Sequence, residues 1–279
     1  MGNQVVHRPV MVDNVIHWLI VKNDGVYLDA TLGCGGHSLE ILQRTEASIV
    51  GIDLDIEQLN LAKERFSRFE NRFMLIQGNF RFIDSFVGKP IDGVLFDLGY
   101  SSFQLDDPQR GFSYRLDGPL DMRYGREGKS AYDIIEEWGK EEIADVLYKY
   151  GGERHSRRIA KKIKNEKPKT TSELALLVRK SVPRKFGHKH LSRIFQAFRI
   201  AVNNEMENIK EGIMGAYKIL KINGRLVVIT YHSGEEKLLI NTVNELGLTT
   251  LTKKPITPKN LEFEENPRCR SAHLRAFEK

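Results

Sequence analysis

The segment Asp29-Ala30-Thr31-Leu32-Gly33-Cys34-Gly35-Gly36-His37-Ser38 is the densest run of residues suited to binding chemistry. It lies between a short apolar run and a helical pattern. Glycines there let the backbone turn tightly and approach a ligand, and a helix N-terminus favours electron-rich groups. An acid, Asp53, stands twenty residues beyond Gly33. That spacing suits a carboxylate that grips the two hydroxyls of a ribose. A nicotinamide fingerprint, G-x-G-x-x-G, would want glycine where Ser38 stands. The doubled Gly35-Gly36 and the upstream Asp29 fit an S-adenosylmethionine loop better. No GK[ST] follows a glycine loop at the right spacing, which argues against a P-loop nucleotidase.

Further along, Gly78-Asn79-Phe80 follows an apolar run at the place where an adenine ring would lie. Phe80 can pack on such a ring or fill the core. Asp97 ends the run Asp92 to Phe96 and opens a polar loop that contains Ser101 and Ser102. Ligands bind beyond the carboxyl ends of strands in open α/β sheets, so Asp97 is a candidate for binding or catalysis, with helix capping as its alternative. Ser101, Ser102, His232 and Ser233 also come from strand ends. They are candidates for a substrate pocket or for turn and cap roles.

These residues need a sheet to position them. Strand patterns at Val26 to Ala30, Ser48 to Asp53, Phe73 to Gln77 and Gly93 to Leu98 alternate with helical patterns. The helices are expected at Val12 to Ile20, Ser38 to Arg44, Ile56 to Phe69 and Arg81 to Phe86. Such alternation predicts a parallel α/β sheet. From Asp106 to Glu205 the strand signal vanishes. Ile143, Val146, Leu147 and Tyr150 form one helical stripe, and Leu191, Phe195, Phe198 and Val202 form another. Thr170-Thr171-Ser172-Glu173 reads as a capping box. A helix at Glu207 to Leu220 follows, then strands at Gly224 to Tyr231, Thr249 to Thr252 and Ala272 to Phe277. The expected organisation is therefore residues 1–105 and 206–279 as one domain, with residues 106–205 inserted as a helical substrate-recognition domain. The segment Arg110 to Arg123, without helical or strand period, reads as a lid, an RNA clamp or an interdomain connector.

Charge is segregated along this plan. The chain of 279 residues carries 43 Lys and Arg against 37 Asp and Glu, a net +6. Between Arg154 and Arg199, fifteen Lys and Arg face two Glu, a surplus of +13 that leaves the rest of the chain at −7. This segregation suggests a polyanion-binding face rather than general solubility. The apolar runs are far shorter than the roughly 20 residues of a membrane helix. Met1 to Met11 has no apolar core of signal-peptide length. Cys34 and Cys269, the only cysteines, build neither a disulfide framework nor a CxxC site. A reducing cytoplasm, with no membrane attachment and no metal, is the expectation.

Over nearly its full length the sequence resembles the bacterial 16S rRNA cytosine-N4-methyltransferase family (RsmH/MraW). The resemblance rests on His7-Arg8-Pro9-Val10, the block Thr31 to Ser38, and Asp97-Leu98-Gly99-Tyr100-Ser101-Ser102-Phe103-Gln104-Leu105-Asp106. It continues through Arg110-Gly111-Phe112-Ser113, Asp117 to Arg123, and Phe195 to Ile200 with Asn203 and Glu205. It closes with His232-Ser233 and Asn266 to Ala272. The resemblance implies a Rossmann-like class I S-adenosylmethionine-dependent methyltransferase with an inserted α-helical domain. It also implies a substrate cytidine in 16S rRNA, within the small ribosomal subunit near the decoding centre. The family's cofactor contacts fall on Gly35, Gly36, His37, Asp53, Phe80, Asp97 and Gln104. Departures from the family pattern are Tyr100 for valine, Gly234-Glu235-Glu236 for Leu-Glu-Asp, and Gly151-Gly152-Glu153 for Gly-Glu-Glu. Lys189-His190-Leu191 also lacks a typical proline. These lie in loops nearer the substrate than the cofactor.

Methylation of an amine needs no metal, because the sulfonium brings its own charge and leaves neutral. Asp97, or a backbone carbonyl between Leu98 and Ser101, is placed to accept hydrogen bonds from an amine nucleophile. Two rival classes explain less. A nicotinamide-dependent dehydrogenase accounts for the glycine turn and Asp53 alone, and a non-catalytic RNA-binding protein for the charge alone. The sequence leaves open whether the chain forms a homodimer.

Overall fold

The computed structural model describes residues 9–183 and 187–279. His7 and Arg8 of the first motif lie outside the described residues, as do Arg184 and Lys185 of the basic stretch and the side chains of Pro267 and Arg268. The chain divides into two compact units, Met1–Gly99 with Met206–Lys279, and Tyr100–Glu205.

The first unit is built on seven strands: β1 (Val26–Asp29), β2 (Ser48–Asp53), β3 (Phe73–Gln77), β4 (Ile91–Asp97), β5 (Leu220–Thr230), β6 (Thr249–Thr250) and β7 (His273–Glu278). Their spatial order is β3-β2-β1-β4-β5-β7-β6. The first five run parallel, and β7 is antiparallel to both β5 and β6. Chain order moves outward from β1 to β3, then restarts on the other side at β4. This makes the β1–β4 junction the point where direction switches, the usual ligand crevice of such sheets.

Strand periodicity sorts the apolar residues onto two faces. Tyr27, Ile49, Leu95, Val227 and Ile229 join one core with α1 (Val12–Leu19), α2 (Gly36–Arg44) and α3 (Ile56–Phe66). Their neighbours Leu28, Val50, Val94, Leu226 and Val228 join the other. That second core is covered by α4 (Ile83–Phe86), α11 (Glu205–Ile219) and α12 (Ser233–Glu245). Burial on both faces explains why the strands read as continuous apolar runs instead of alternating ones. The expected helix ending at Phe69 finishes at Phe66 and runs on as a 3-10 turn, Ser67–Phe69. A 3-10 turn, Phe80–Phe82, likewise begins the helix expected at Arg81. β5 starts at Leu220, and its register slips between the Ile91 and Gly93 pairs. Neither α12 nor the short α13 (Asn260–Glu265) was anticipated.

The second unit is helical: α5 (Ser102–Asp106), α6 (Ala131–Glu137), α7 (Lys140–Lys149), α8 (Ser156–Glu166), α9 (Thr171–Ser181) and α10 (Gly187–Val202). Both expected stripes enter its core. Ile143, Leu147, Leu191, Phe195 and Phe198 are buried, and Val146, Tyr150 and Val202 pack partly buried against them. The segment between Arg110 and Arg123 belongs to the same core. Arg110 is 1% exposed, and Phe112, Leu120 and Met122 are buried. Arg110 Nη2 donates to the carbonyl of Tyr124 at 2.5 Å, and the Met122 amide to the carbonyl of Arg110 at 2.9 Å. The missing periodicity of this segment reflects irregular backbone that is packed at both ends, with Arg115, Leu116, Asp117 and Pro119 exposed between them.

The capping box is present at α9. Thr170 Oγ1 accepts from the Glu173 amide at 3.2 Å, and Glu173 Oε2 accepts from the Thr170 amide at 3.3 Å. Thr170→Ala should lower unfolding free energy by about 1 kcal/mol, measured by urea denaturation. An unchanged midpoint would show that the cap adds nothing to α9.

Candidate functional site

Because β1, β2 and β4 run parallel and adjacent, their last residues share one edge of the sheet. Those residues are Asp29, Asp53 and Asp97. Each carboxylate also shapes the backbone around it. Asp29 Oδ2 accepts from Ser38 Oγ at 2.7 Å, which ties the first turn of α2 to the end of β1. Asp53 Oδ2 accepts from the Gly33 amide at 2.7 Å and its Oδ1 from the Asp55 amide at 2.8 Å. Asp97 is anchored through its amide, which donates to Thr31 Oγ1 at 2.6 Å, and its Oδ1 accepts from Tyr231 Oη at 2.8 Å.

The turn between β1 and α2 needs glycine at Gly35. Its φ is +76°, and a Cβ there would lie 2.4 Å from Cζ of Phe66. A side chain would therefore meet both backbone strain and a ring from α3. His37, in the first turn of α2, is buried, and its Nε2 lies 2.7 Å from the carbonyl of Val10. A carbonyl only accepts, so Nε2–H is the donor, and Nδ1 on the other side of the ring lies 3.8 Å from Asp97 Oδ2. That distance is too long for a hydrogen bond.

Electrostatics at this edge are one-sided. Among the described residues, no Lys or Arg forms an ion pair with Asp29, Asp53 or Asp97. Burial pushes the Asp53 carboxyl up to about 6, with Asp55 and Asp29 adding repulsion and two backbone amides opposing it. Asp29 and Asp97 are raised too, first by burial; His37 and a hydroxyl donor oppose this in both. Three raised carboxyls sharing one edge suit a ligand that is cationic and rich in hydrogen-bond donors.

The other expected residues are placed as follows. Gly36 opens α2 beside Gly35. Phe80 is partly buried and meets Phe96 edge-on at 5.5 Å between centroids. His232 caps α12: its Nδ1 accepts from the Glu235 amide at 3.3 Å, and Ser233 next to it is exposed. Gln104, Ser101 and Ser102 belong to the second unit. There Ser101 caps α5, and Gln104 closes the box with its Oε1 accepting from the Ser101 amide at 3.2 Å. The cap reading therefore describes Ser101 and His232. Sequence reasoning passed over Tyr231, whose partner Asp97 is 134 residues away, a pairing that no local pattern reveals.

On the second unit the basic stretch is less uniform than a count implies. Arg199 is buried in a paired geometry with Glu205, at 2.7 and 2.9 Å. Lys167 pairs with Glu136 at 2.8 Å, and Lys164 Nζ donates to the carbonyl of Ile135 at 2.8 Å. Arg154, Arg157, Arg158 and Lys161 are exposed and have no ion pair among the described residues. Arg157, Arg158 and Lys161 line one side of α8, and Arg154 lies in the turn just before it. Ile159, Ala160 and Ile163 take the other side into the core.

The sequence model of the MraW methylase family matches residues 4–279. A ribosomal RNA small subunit methyltransferase H from Carboxydothermus hydrogenoformans is 43% identical over 98% of this chain and 97% of its own length. A protein of the same name from Brevibacillus brevis is 40% identical over 98% of each. Among solved structures, TrmN from Thermus thermophilus aligns with a TM-score of 0.50 at 11% identity, over 96% of this chain and 48% of its own, which shows a shared fold. No helix among the described residues is long and apolar enough to cross a membrane.

The raised Asp53 carboxyl makes a prediction about stability. Between its unfolded value near 4 and about 6, the folded chain keeps a proton that the unfolded chain has released. This group's contribution to stability therefore falls as pH rises through that window. Relative to Asp53→Asn, the ligand-free parent should lose on the order of 2 kcal/mol between pH 4.5 and 7. Denaturation at the two pH values measures this, and a constant difference would place the Asp53 carboxyl in ordinary solvent.

Proposed function

This chain belongs to the MraW methylase family, and we propose that it methylates the N4 amine of a cytidine in 16S rRNA near the decoding centre. It is an rRNA methyltransferase, and its cofactor is S-adenosylmethionine. The observation that carries the site assignment is the set of three carboxylates, Asp29 buried and Asp53 and Asp97 partly buried, with no Lys or Arg paired to them among the described residues, at the switch point of the sheet. The residues fit the cofactor: its ribose hydroxyls and ammonium are donors, and its ammonium and sulfonium are cations.

In this reading Asp53 accepts from the ribose hydroxyls. Gly35 and Gly36 leave room for close approach, and Phe80 packs on the adenine. Asp97 Oδ2 accepts from a donor group of the cofactor, with His37 beside it. When bound, S-adenosylmethionine supplies an electrophilic methyl group. The cytosine amine is a poor nucleophile because its lone pair is delocalised into the ring. It must be held in line at roughly 3–3.5 Å, with its protons accepted so that the lone pair is released. Asp97 is the residue we assign to that acceptance, beside its contact with the cofactor. Ser101 and Ser102 of the second unit and His232 and Ser233 of the first are the proposed substrate-side residues. A paired cytosine hides its amine, so the target is presented unpaired or extruded, and assembled small-subunit structure is the preferred substrate.

We propose that the second unit binds the RNA backbone through the exposed side of α8. Changing Arg154, Arg157, Arg158 and Lys161 to Glu should lower RNA affinity at least tenfold at 0.1 M salt. It should also flatten the log–log salt slope by about 3, while affinity for S-adenosylhomocysteine stays unchanged. Equal RNA affinity and slope would move the RNA to another surface. The activity itself is tested by nucleoside mass analysis of 16S rRNA from cells with and without this protein. N4-methylcytidine should disappear with the gene and return with the wild-type chain but not with Asp97→Ala. An unchanged nucleoside profile would refute the assigned product.

A further inference from the structure

Tyr231 takes no part in any assignment made so far, yet it makes the one direct side-chain hydrogen bond recorded for Asp97 among the described residues. Its phenol donates to Asp97 Oδ1 at 2.8 Å. The two residues meet because β4 and β5 pair in register, with Asp97 opposite Ile229 and the Leu98 amide bonded to the carbonyl of Ile229 at 3.0 Å. Tyr231 follows two residues later. Its backbone is fixed in turn, because its amide donates to Glu235 Oε2 at 2.7 Å in the first turn of α12. The ring is partly buried and packs against the core shared by α1, α2 and α3. Little freedom remains for the hydroxyl.

We infer that Tyr231 is a positioning residue that keeps the Asp97 carboxylate ionised and turned so that Oδ2 faces the ligand. The inference rests on the reading of Asp97 as a cofactor residue. A carboxylate has two oxygens and rotates about one bond. Fixing Oδ1 with a donor that cannot move fixes Oδ2 opposite His37 Nδ1, 3.8 Å away. With Oδ1 taken by the phenol, Oδ2 is the oxygen left to accept a donor from the ligand. A phenol suits this duty because it does not ionise under working conditions. Burial, the Asp97 charge and the bond to Asp97 hold its pKa well above the ordinary tyrosine value. It therefore remains a donor at neutral pH.

The charged surroundings make the donor necessary. Asp97 is faced by Asp29 from β1, His37 from α2, Tyr231 after β5 and Glu235 from α12. Cys269 also faces the phenol. Burial, Asp29 and Glu235 all favour the protonated acid, while His37 and Tyr231 oppose them. Removing the phenol hydroxyl leaves His37 alone on the opposing side. A protonated Asp97 would present an O–H where the ligand's donor must be accepted.

The test is a carbon-13 NMR titration of the aspartate carboxyl groups in the ligand-free protein, with Asp97 assigned by its loss in Asp97→Asn. In Tyr231→Phe the Asp97 midpoint should rise by about one pH unit, the usual worth of a hydrogen bond to a charged group. The Asp53 midpoint should stay near 6. A merely structural tyrosine would leave the Asp97 midpoint in place, and that result overturns the inference. Calorimetry with S-adenosylhomocysteine separates this from the parent reading. Asp97→Asn should weaken binding at least tenfold at pH 8, whereas Tyr231→Phe should lose affinity at a higher pH than the parent does as the pH is lowered. If Asp97→Asn binds normally, the assignment of Asp97 itself fails; if only Tyr231→Phe keeps the parent's pH profile of affinity, the role of Tyr231 fails.

Discussion

Like charges brought together with no Lys or Arg paired to them among the described residues are the constraint around which the first unit is arranged. Parallel pairing of β1, β2 and β4 sets Asp29, Asp53 and Asp97 along one edge, and burial raises all three carboxyls. A fold selected only for stability would place Lys or Arg among them or replace them. This one instead compensates with neutral donors: the Gly33 and Asp55 amides, Ser38 and Tyr231. Neutral donors orient the oxygens while leaving net negative charge for an incoming cation. The cost in stability of the ligand-free protein and the attraction for a sulfonium-bearing cofactor have the same origin.

The backbone follows from that arrangement. Gly35 keeps its left-handed turn because α3 places Phe66 where a Cβ would go, and the same turn presents Gly33 to Asp53. Ser38 ties α2 to the end of β1, which brings His37 opposite Asp97. Each of these contacts both secures an element and shapes the edge. Substitutions there should change folding and binding together, unlike those on α8, where binding charge and packing lie on opposite sides of one helix.

Local features were legible in the sequence. The strands of the first hundred residues, the glycine turn, Asp53 and Asp97 at strand ends, and the Thr170 capping box all follow from short-range pattern. What escaped depends on contacts between distant residues. Tyr231 reads as the end of a strand until β4 and β5 are in register. The start of α12 uses a histidine cap, His232, which lacks the usual Ser, Thr, Asp or Asn signal. Arg110 and Phe112 sit in an aperiodic stretch and are nevertheless core. Counting charge also overstated the free cations, since Arg199, Lys164 and Lys167 are engaged within the unit.

The central claim is that the cofactor binds at the carboxylate edge and requires it ionised. Calorimetric titration with S-adenosylhomocysteine at pH 6, repeated in buffers of different ionisation enthalpy, measures the protons exchanged on binding. With Asp53 titrating at about 6 and the other two carboxyls also raised, the ligand should displace at least about half a proton per site at pH 6, and fewer protons as pH rises. Binding with no proton release at pH 6 would contradict the account, because the ligand would then be held by groups other than these carboxylates.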